Sequence, residues 1–241
     1  SDGDLDIVST SVNDNIIAWH ENDGAANPSF SKAIIYNVVG RKASDTFVAD
    51  IDSDGDLDII SVSHGPGPVL WHENNGADNP SFTTSTIATD LAGGEAYNMH
   101  ADDIDSDGDI DILFGDYIND AIYWYENNGA TDPSFSKNTL IESGVDGVYD
   151  VYTADIDLDG DIDVISASHN DDKIAWYENN GAANPTFTAS TISTSADVAF
   201  GIHVGDVDSD GDLDIVSASW NDDKIAWYKN NGAANPTFTA S

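Results

Sequence analysis

One period runs through this chain, and it limits the architecture more than any single motif does. Trp19, Trp71, Trp124, Trp176 and Trp227 recur at steps of 52, 53, 52 and 51 residues. A repeat near 50 residues marks a propeller, a solenoid or an array, built of units that cannot bury their apolar faces alone. Within one unit the text reads as strands and turns. Val151 to Ile156 and Val164 to Ser168 flank an aspartate-rich loop, Asn170-Asp171-Asp172 turns, Ile174 to Tyr177 extends, Asn179-Asn180-Gly181 turns again, and Phe187 to Ile192 closes the unit. No segment carries sustained helical periodicity. Four short antiparallel strands per unit, with apolar residues on both faces of the third, suit a propeller blade, which is covered by a neighbour on each side. The expected fold is therefore all-β, a five-bladed β-propeller of four-stranded antiparallel blades closed around one axis, with an open solenoid as the rival, forming one domain, 1–241. Its repeats are about 1–49, 50–102, 103–154, 155–205 and 206–241. The strand-borne tryptophans read as core residues, with sugar stacking as the alternative.

An aspartate ladder recurs at the same step. Asp50, Asp52, Asp54, Asp56 and Asp58 alternate around Gly55, and the pattern returns at Asp103, Asp105, Asp107, Asp109 and Asp111. It returns again at Asp155, Asp157, Asp159, Asp161 and Asp163, and at Asp206, Asp208, Asp210, Asp212 and Asp214. Asp2, Asp4 and Asp6 hold only the second half of a fifth copy. Carboxylates this close repel one another unless compensated, and a hard divalent cation with oxygen ligands removes that cost. We expect four complete Ca2+ sites and a fifth partial one. In the loop 50–58 the first three aspartates would ligate by side chain, Gly55 would turn, Asp56 would offer its carbonyl and Asp58 would close the shell. A strand-like run follows each loop and no glutamate stands at the twelfth position, so these are not EF-hands. An acidic turn that binds no cation is the alternative, and Mg2+ is disfavoured because it keeps its waters.

The Asp-x-Asp-x-Asp-Gly-Asp-x-Asp loop, the Trp-His/Tyr-Glu/Lys-Asn strand end and the period together resemble the FG-GAP or VCBS repeat family, known from integrin alpha chains, bacterial surface proteins and some lectins. The Phe-Gly element is kept outright only at Phe200-Gly201, its counterparts being Ser44-Asp45, Tyr97-Asn98 and Tyr149-Asp150. The resemblance covers essentially the whole chain and implies a calcium-binding propeller.

Comparison of the repeats separates scaffold from candidate binding surface. The aspartate loops and Asn-Asn-Gly turns are nearly constant and share one end of the blades. At the opposite end Val12, His64, Tyr117, His169 and Trp220 share one position, and the loops between blades run Val39-Gly40-Arg41-Lys42, Leu91-Ala92-Gly93-Gly94, Ser143-Gly144-Val145-Asp146 and Ser195-Ala196-Asp197-Val198. Variable loops on a rigid scaffold are where binding resides, so His64, Tyr117, His169 and Trp220 are candidate ligand residues for a protein or a glycan. Catalysis is not expected. Glu21, Glu73, Glu126 and Glu178 recur at one repeat position and give way to Lys229, and His20 and His72 alternate with Tyr125, Tyr177 and Tyr228, as packing residues would.

A formal charge of -38, or -30 with four bound Ca2+, argues against nucleic acid and anionic membranes as partners. No stretch reads as a membrane span or a signal peptide. There is no cysteine, so localisation rests on calcium and is expected to be extracellular or at a cell surface. The chain opens in mid-motif, so an export signal would lie upstream. Five second strands and five third strands accompany only four first strands, near Phe47, Met99, Tyr152 and His203. The first blade is therefore expected to be incomplete, its gap filled by further sequence or by a neighbouring subunit in self-assembly.

Overall fold

The computed structural model describes residues 3–38, 41–65, 67–89, 94–141 and 144–240. Its strands form five antiparallel sheets in chain order. The first has three strands, β1 (Ile7–Ser11), β2 (Ile16–Asn22) and β3 (Phe30–Asn37). The second holds β4 (Lys42–Ala49), β5 (Asp58–His64), β6 (Val69–Asn74) and β7 (Phe82–Ala88), and the third β8 (Met99–Asp102), β9 (Asp111–Asp116), β10 (Ala121–Asn127) and β11 (Phe135–Ile141). The fourth holds β12 (Val148–Ala154), β13 (Asp163–Ser168), β14 (Lys173–Asn179) and β15 (Phe187–Ser193), and the fifth β16 (Ala199–Gly205), β17 (Asp214–Ser219), β18 (Lys224–Asn230) and β19 (Phe238–Ala240). Each sheet is a blade, and among the described residues the first lacks a counterpart of β4, as expected.

The apolar core lies between blades. Ile17 of the first blade meets Ala43 and Ile59 of the second. Val69 and Trp71 meet Met99, Ile112 and Tyr125. Ile122 and Trp124 meet Val151, Val164 and Tyr177, and Ile174 and Trp176 meet Ile202, Ile215 and Tyr228. Every central strand therefore points one set of side chains forward and another back, which is why β13 is buried along its whole length rather than on alternate residues. Polar ties cross the same junctions. Asn127, Asn179 and Asn230 donate through Nδ2 to the carbonyls of Ile51, Ile104 and Ile156 in the preceding blade, at 2.9, 2.9 and 3.1 Å.

The histidine and tyrosine alternation has a direct cause. His72 Nε2 lies 2.9 Å from Ser61 Oγ, and the hydroxyls of Tyr177 and Tyr228 reach Ser166 and Ser217 at 3.2 and 3.3 Å. Both residue types present a flat apolar body and a polar tip, so one slot takes either. Burial pushes the His72 pKa down to about 4 and keeps the ring neutral.

The first strands β4, β8, β12 and β16 stand side by side. Phe47, His100, Tyr152 and His203 follow one another across them, with ring centres 4.8, 4.4 and 5.3 Å apart. Asp45 and Asp150 accept the backbone N–H groups of Met99 and Ile202 from the next blade, at 3.1 and 2.8 Å. Burial is the main reason that Asp150 is raised to about 7.

Among the described residues the two end faces of the array stay uncovered, which corrects the expectation of a closed ring. Ile225 is 75% exposed, whereas its counterparts Ile17, Val69, Ile122 and Ile174 are 0% exposed. On the other side Ile7 is 49% exposed, and its counterparts Ile59, Ile112, Val164 and Ile215 are at most 2%. Each of these residues needs an adjacent blade to cover it, and blade five is not covered by blade one.

Candidate functional site

The aspartate loops are built by the turn between the first and second strands of each blade. The first carboxylate folds the turn onto itself: Asp50 accepts the N–H groups of Asp54 at 3.1 Å and Gly55 at 3.0 Å, and Asp155 takes those of Asp159 and Gly160 at 3.0 and 3.1 Å. Gly55, Gly108, Gly160 and Gly211 adopt φ between +96° and +100°, a region that requires glycine. One carboxylate oxygen from each of Asp50, Asp52 and Asp54 falls within a common 4.8 Å, and the same holds for 103/105/107, 155/157/159 and 206/208/210. An ion with oxygen ligands at roughly 2.3–2.6 Å fits between groups so spaced.

The first three loops carry a further sign of an intended cation. Burial, then the adjacent Asp54, Asp107 and Asp159 charges, push Asp52, Asp105 and Asp157 above the ordinary carboxylate range. Asp105 Oδ1 and Asp157 Oδ1 are buried with no hydrogen-bond partner. Lone pairs so placed are costly unless a cation takes them. The donor set is all oxygen, which suits Ca2+, and the residues fit it.

The remaining aspartates of each ladder take other work. Asp58, Asp111, Asp163 and Asp214 are buried and stand outside the three-carboxylate groups. Asp163 Oδ2 accepts Trp176 Nε1–H at 2.9 Å and Ile156 N–H at 3.2 Å, while Oδ1 accepts Asn179 N–H at 2.8 Å. Asp58 likewise holds Trp71 Nε1–H and Asn74 N–H at 2.9 and 2.7 Å. Burial raises Asp58 to about 6 and Asp111 and Asp163 to about 7. The expected closing ligands thus fasten the loop to the tryptophan strand. Asp56, Asp109, Asp161 and Asp212 press against Gly76, Gly129, Gly181 and Gly232 of the Asn-Asn-Gly turns, filling the space that a Cβ there would need. The described part of the partial copy keeps these scaffold roles. Asp6 accepts Trp19 Nε1–H and Asn22 N–H at 2.9 and 2.8 Å, Asp4 lies against Gly24, and Asp2 is outside the described residues.

Residues at the fourth loop position escaped the sequence reading. Ser53, Ser106, Leu158 and Ser209 all sit at φ between +58° and +63°. Their side chains give no hint of a left-handed backbone, since neither serine nor leucine favours it.

At the opposite end the structure gathers the candidate ligand residues with aromatic residues of the first strands. His64 meets Tyr97 at 4.4 Å, Tyr97 stacks on Tyr149 at 4.3 Å, Tyr149 meets Phe200 at 4.3 Å, and Phe200 meets Trp220 at 5.3 Å. Tyr117 and His169 flank this row, 5.5 Å from each other. Trp220 is 66% exposed. Glu95 accepts the Tyr97 hydroxyl at 3.0 Å, and Asn170 donates to Asp146 at 2.9 Å. Val12 is exposed on the first blade, and Val39, Gly40, Leu91, Ala92, Gly93 and Ser143 of the variable loops lie outside the described residues. Phe200 was legible as the Phe of Phe-Gly, and Tyr97 and Tyr149 as the residues at its counterpart positions. Their convergence between blades was not.

A cavity of about 580 Å³ opens between the first two blades, lined by Leu5, Trp19, Glu21, Leu57 and Phe82 among others. At later junctions Ile51, Ile104 and Ile156 are buried in the corresponding region, and the first blade has no such residue among those described.

Fold and loops together define a β-propeller in which the turn between the first and second strands of blades two to five gathers three carboxylates. The FG-GAP-like repeat family matches residues 1–61, 50–114, 103–166 and 155–217, and the chain belongs to that family. Among solved structures, an Agrocybe aegerita lectin described as recognising non-reducing terminal N-acetylglucosamine superposes with a TM-score of 0.64 at 19% identity, over 98% of this chain and 65% of that one. The N-terminal domain of Chaetomium thermophilum Nup170, in complex with Nup53, gives 0.51 at 10% identity over 98% of this chain and 38% of that one. At such identities the likeness is one of fold, and the chain spans under two thirds of either neighbour. No curated protein matches.

Proposed function

We propose that the chain is a calcium-stabilised adhesion module of an extracellular or cell-surface setting, which holds a glycan at the end of the blades opposite the aspartate loops. The observation that carries this reading is the continuous row His64, Tyr97, Tyr149, Phe200 and Trp220, half-open to solvent and bordered by Glu95, Asp146 and Asn170. Flat rings take the apolar face of a sugar, and neighbouring carboxylates and amides take its hydroxyls. A lectin among the structural neighbours supports the ligand class by analogy of fold alone. No catalytic role is proposed, and the acidic surface disfavours nucleic acid and anionic membranes. The test is a glycan array followed by Trp220→Ala and Tyr117→Ala. Both variants should bind at least about tenfold more weakly with a melting temperature close to the parent's. Undiminished binding would sink the reading, and a large stability loss would place these rings in the core instead.

A second reading is assembly, favoured by the bare faces around Ile225 and Ile7. The face of blade five repeats the one with which blades one to four receive their successors. The face of blade one repeats the one that blades two to five offer, without the part that their first strands supply. A second copy docked head to tail would therefore reproduce much of an interface used four times within the chain. Sedimentation of the parent and of Ile225→Asp tests it. A parent that stays monomeric at high concentration, or an unchanged assembly in the variant, counts against it.

A further inference from the structure

The four complete loops are alike in sequence, but a residue from elsewhere in the blade sets one apart. Each third strand ends in Trp-x-x, with Glu21, Glu73, Glu126 and Glu178 in the first four blades and Lys229 in the fifth. Glu126 and Glu178 lie close enough to Asp105 and Asp157 to add to the negative charge around them. Lys229 does the reverse. Its Nζ donates to Asp208 Oδ2 and, at 2.8 Å, to Asp210 Oδ2. Those carboxylates correspond to Asp52 and Asp54, to Asp105 and Asp107, and to Asp157 and Asp159. The ammonium thus bonds two of the three groups whose oxygens are gathered in the loop. Asp206, Asp208 and Asp210 are also all exposed, whereas Asp52 is buried and Asp105 and Asp157 are partly so. Asp105 and Asp157 each bury an oxygen that has no hydrogen-bond partner, whereas Asp208 is open to solvent and bonded to Lys229.

We infer that Lys229 is the resident cation of the loop 206–214, so that this loop keeps its shape without metal and the chain carries three calcium sites, at 50–58, 103–111 and 155–163. The physical reason is exclusion in space and charge together. A divalent ion at the fourth loop would have to expel an ammonium from two of its ligands and then sit beside it, whereas the other loops offer three carboxylates and a nearby glutamate. A repelling unit charge within a few Å of the ion, in place of an attracting one, weakens binding by at least about tenfold even at water-like dielectric.

This inference rests on the calcium reading of the other loops, and the experiment separates the two. Calcium is titrated into the chelator-stripped chain and into Lys229→Glu, which restores the residue of the other four repeats and is therefore compatible with the fold. Stoichiometry is read by calorimetry and native mass spectrometry, and protection of the segment 206–214 by hydrogen exchange. Three ions in the parent and four in Lys229→Glu are expected. In chelator the segment should stay protected in the parent and open only in the variant, while 103–111 and 155–163 open in both. Four equivalent ions in the parent, or no added ion in the variant, overturns the inference alone. No ion in either protein overturns the calcium reading as well.

Discussion

Truncating the inter-blade asparagine should cost far more in the middle of the array than at its first blade. Asn179 is buried, donates at 2.9 Å to both Ile104 O in the preceding blade and Ile162 O in its own, and accepts Gly181 N–H at 3.1 Å. Asn179→Ala removes three hydrogen bonds at about 1 kcal/mol each and leaves buried carbonyls without a donor, for a total of about 3–4 kcal/mol. Asn22 holds the equivalent position in the first blade, where it is more open. It reaches only Leu5 O at 3.0 Å and accepts Gly24 N–H at 3.1 Å. Water replaces both partners in Asn22→Ala, and the loss should stay near ~1 kcal/mol. Guanidinium unfolding of the two variants at one fixed calcium concentration, followed by tryptophan fluorescence, measures the difference. Equal losses would show that the junction carbonyls do not depend on this amide and that the asparagine matters only for its own turn.

Chelation of calcium should lower the melting temperature. For extracellular-type affinities of about 0.1–1 mM and ~10 mM ion, mass action gives roughly 1.4–2.7 kcal/mol per occupied loop, and an unmoved midpoint would refute calcium as a stability ligand. Asp150 should make stability fall with rising pH. Its folded pKa of about 7 lies above the ordinary carboxylate range near 4, so its favourable contribution is complete below pH ~4 and is lost as the pH rises through about 7. Asp150→Asn keeps an oxygen for the Ile202 N–H. Relative to the parent it should gain on the order of 2–4 kcal/mol at pH 8 and little at pH 4, and a pH-independent difference between the two would disprove it.

The period, the blades and the glycine turns were legible because they are local. Gly55 must turn, Asn170-Asp171-Asp172 must reverse the chain, and Ile174 to Tyr177 must extend, whatever lies beyond them. Roles that depend on a partner distant in sequence were not. Nothing in Asp-x-Asp tells Asp161 from Asp163, yet one meets Gly181 and the other holds Trp176. The contact of Lys229 with Asp208 and Asp210 needs the strand register that brings the end of β18 back to the loop. Closure was misread for a related reason. A count of five repeats does not give the rotation between successive sheets, and that rotation decides how many blades complete a turn.

The two bare faces also give the molecule a direction of failure. Blades two to four are gripped from both sides, while the first and the last are held from one, and the first also lacks a strand. In a linear stack the free energy of opening is the sum of a unit's own stability and the junctions it must break, so terminal units open at the cost of one junction and central units at the cost of two. Loss of structure should therefore fray inward from Ile7 and from Ile225, and the aromatic pair Tyr97 and Tyr149, in the third and fourth blades, should be among the last features to dissolve.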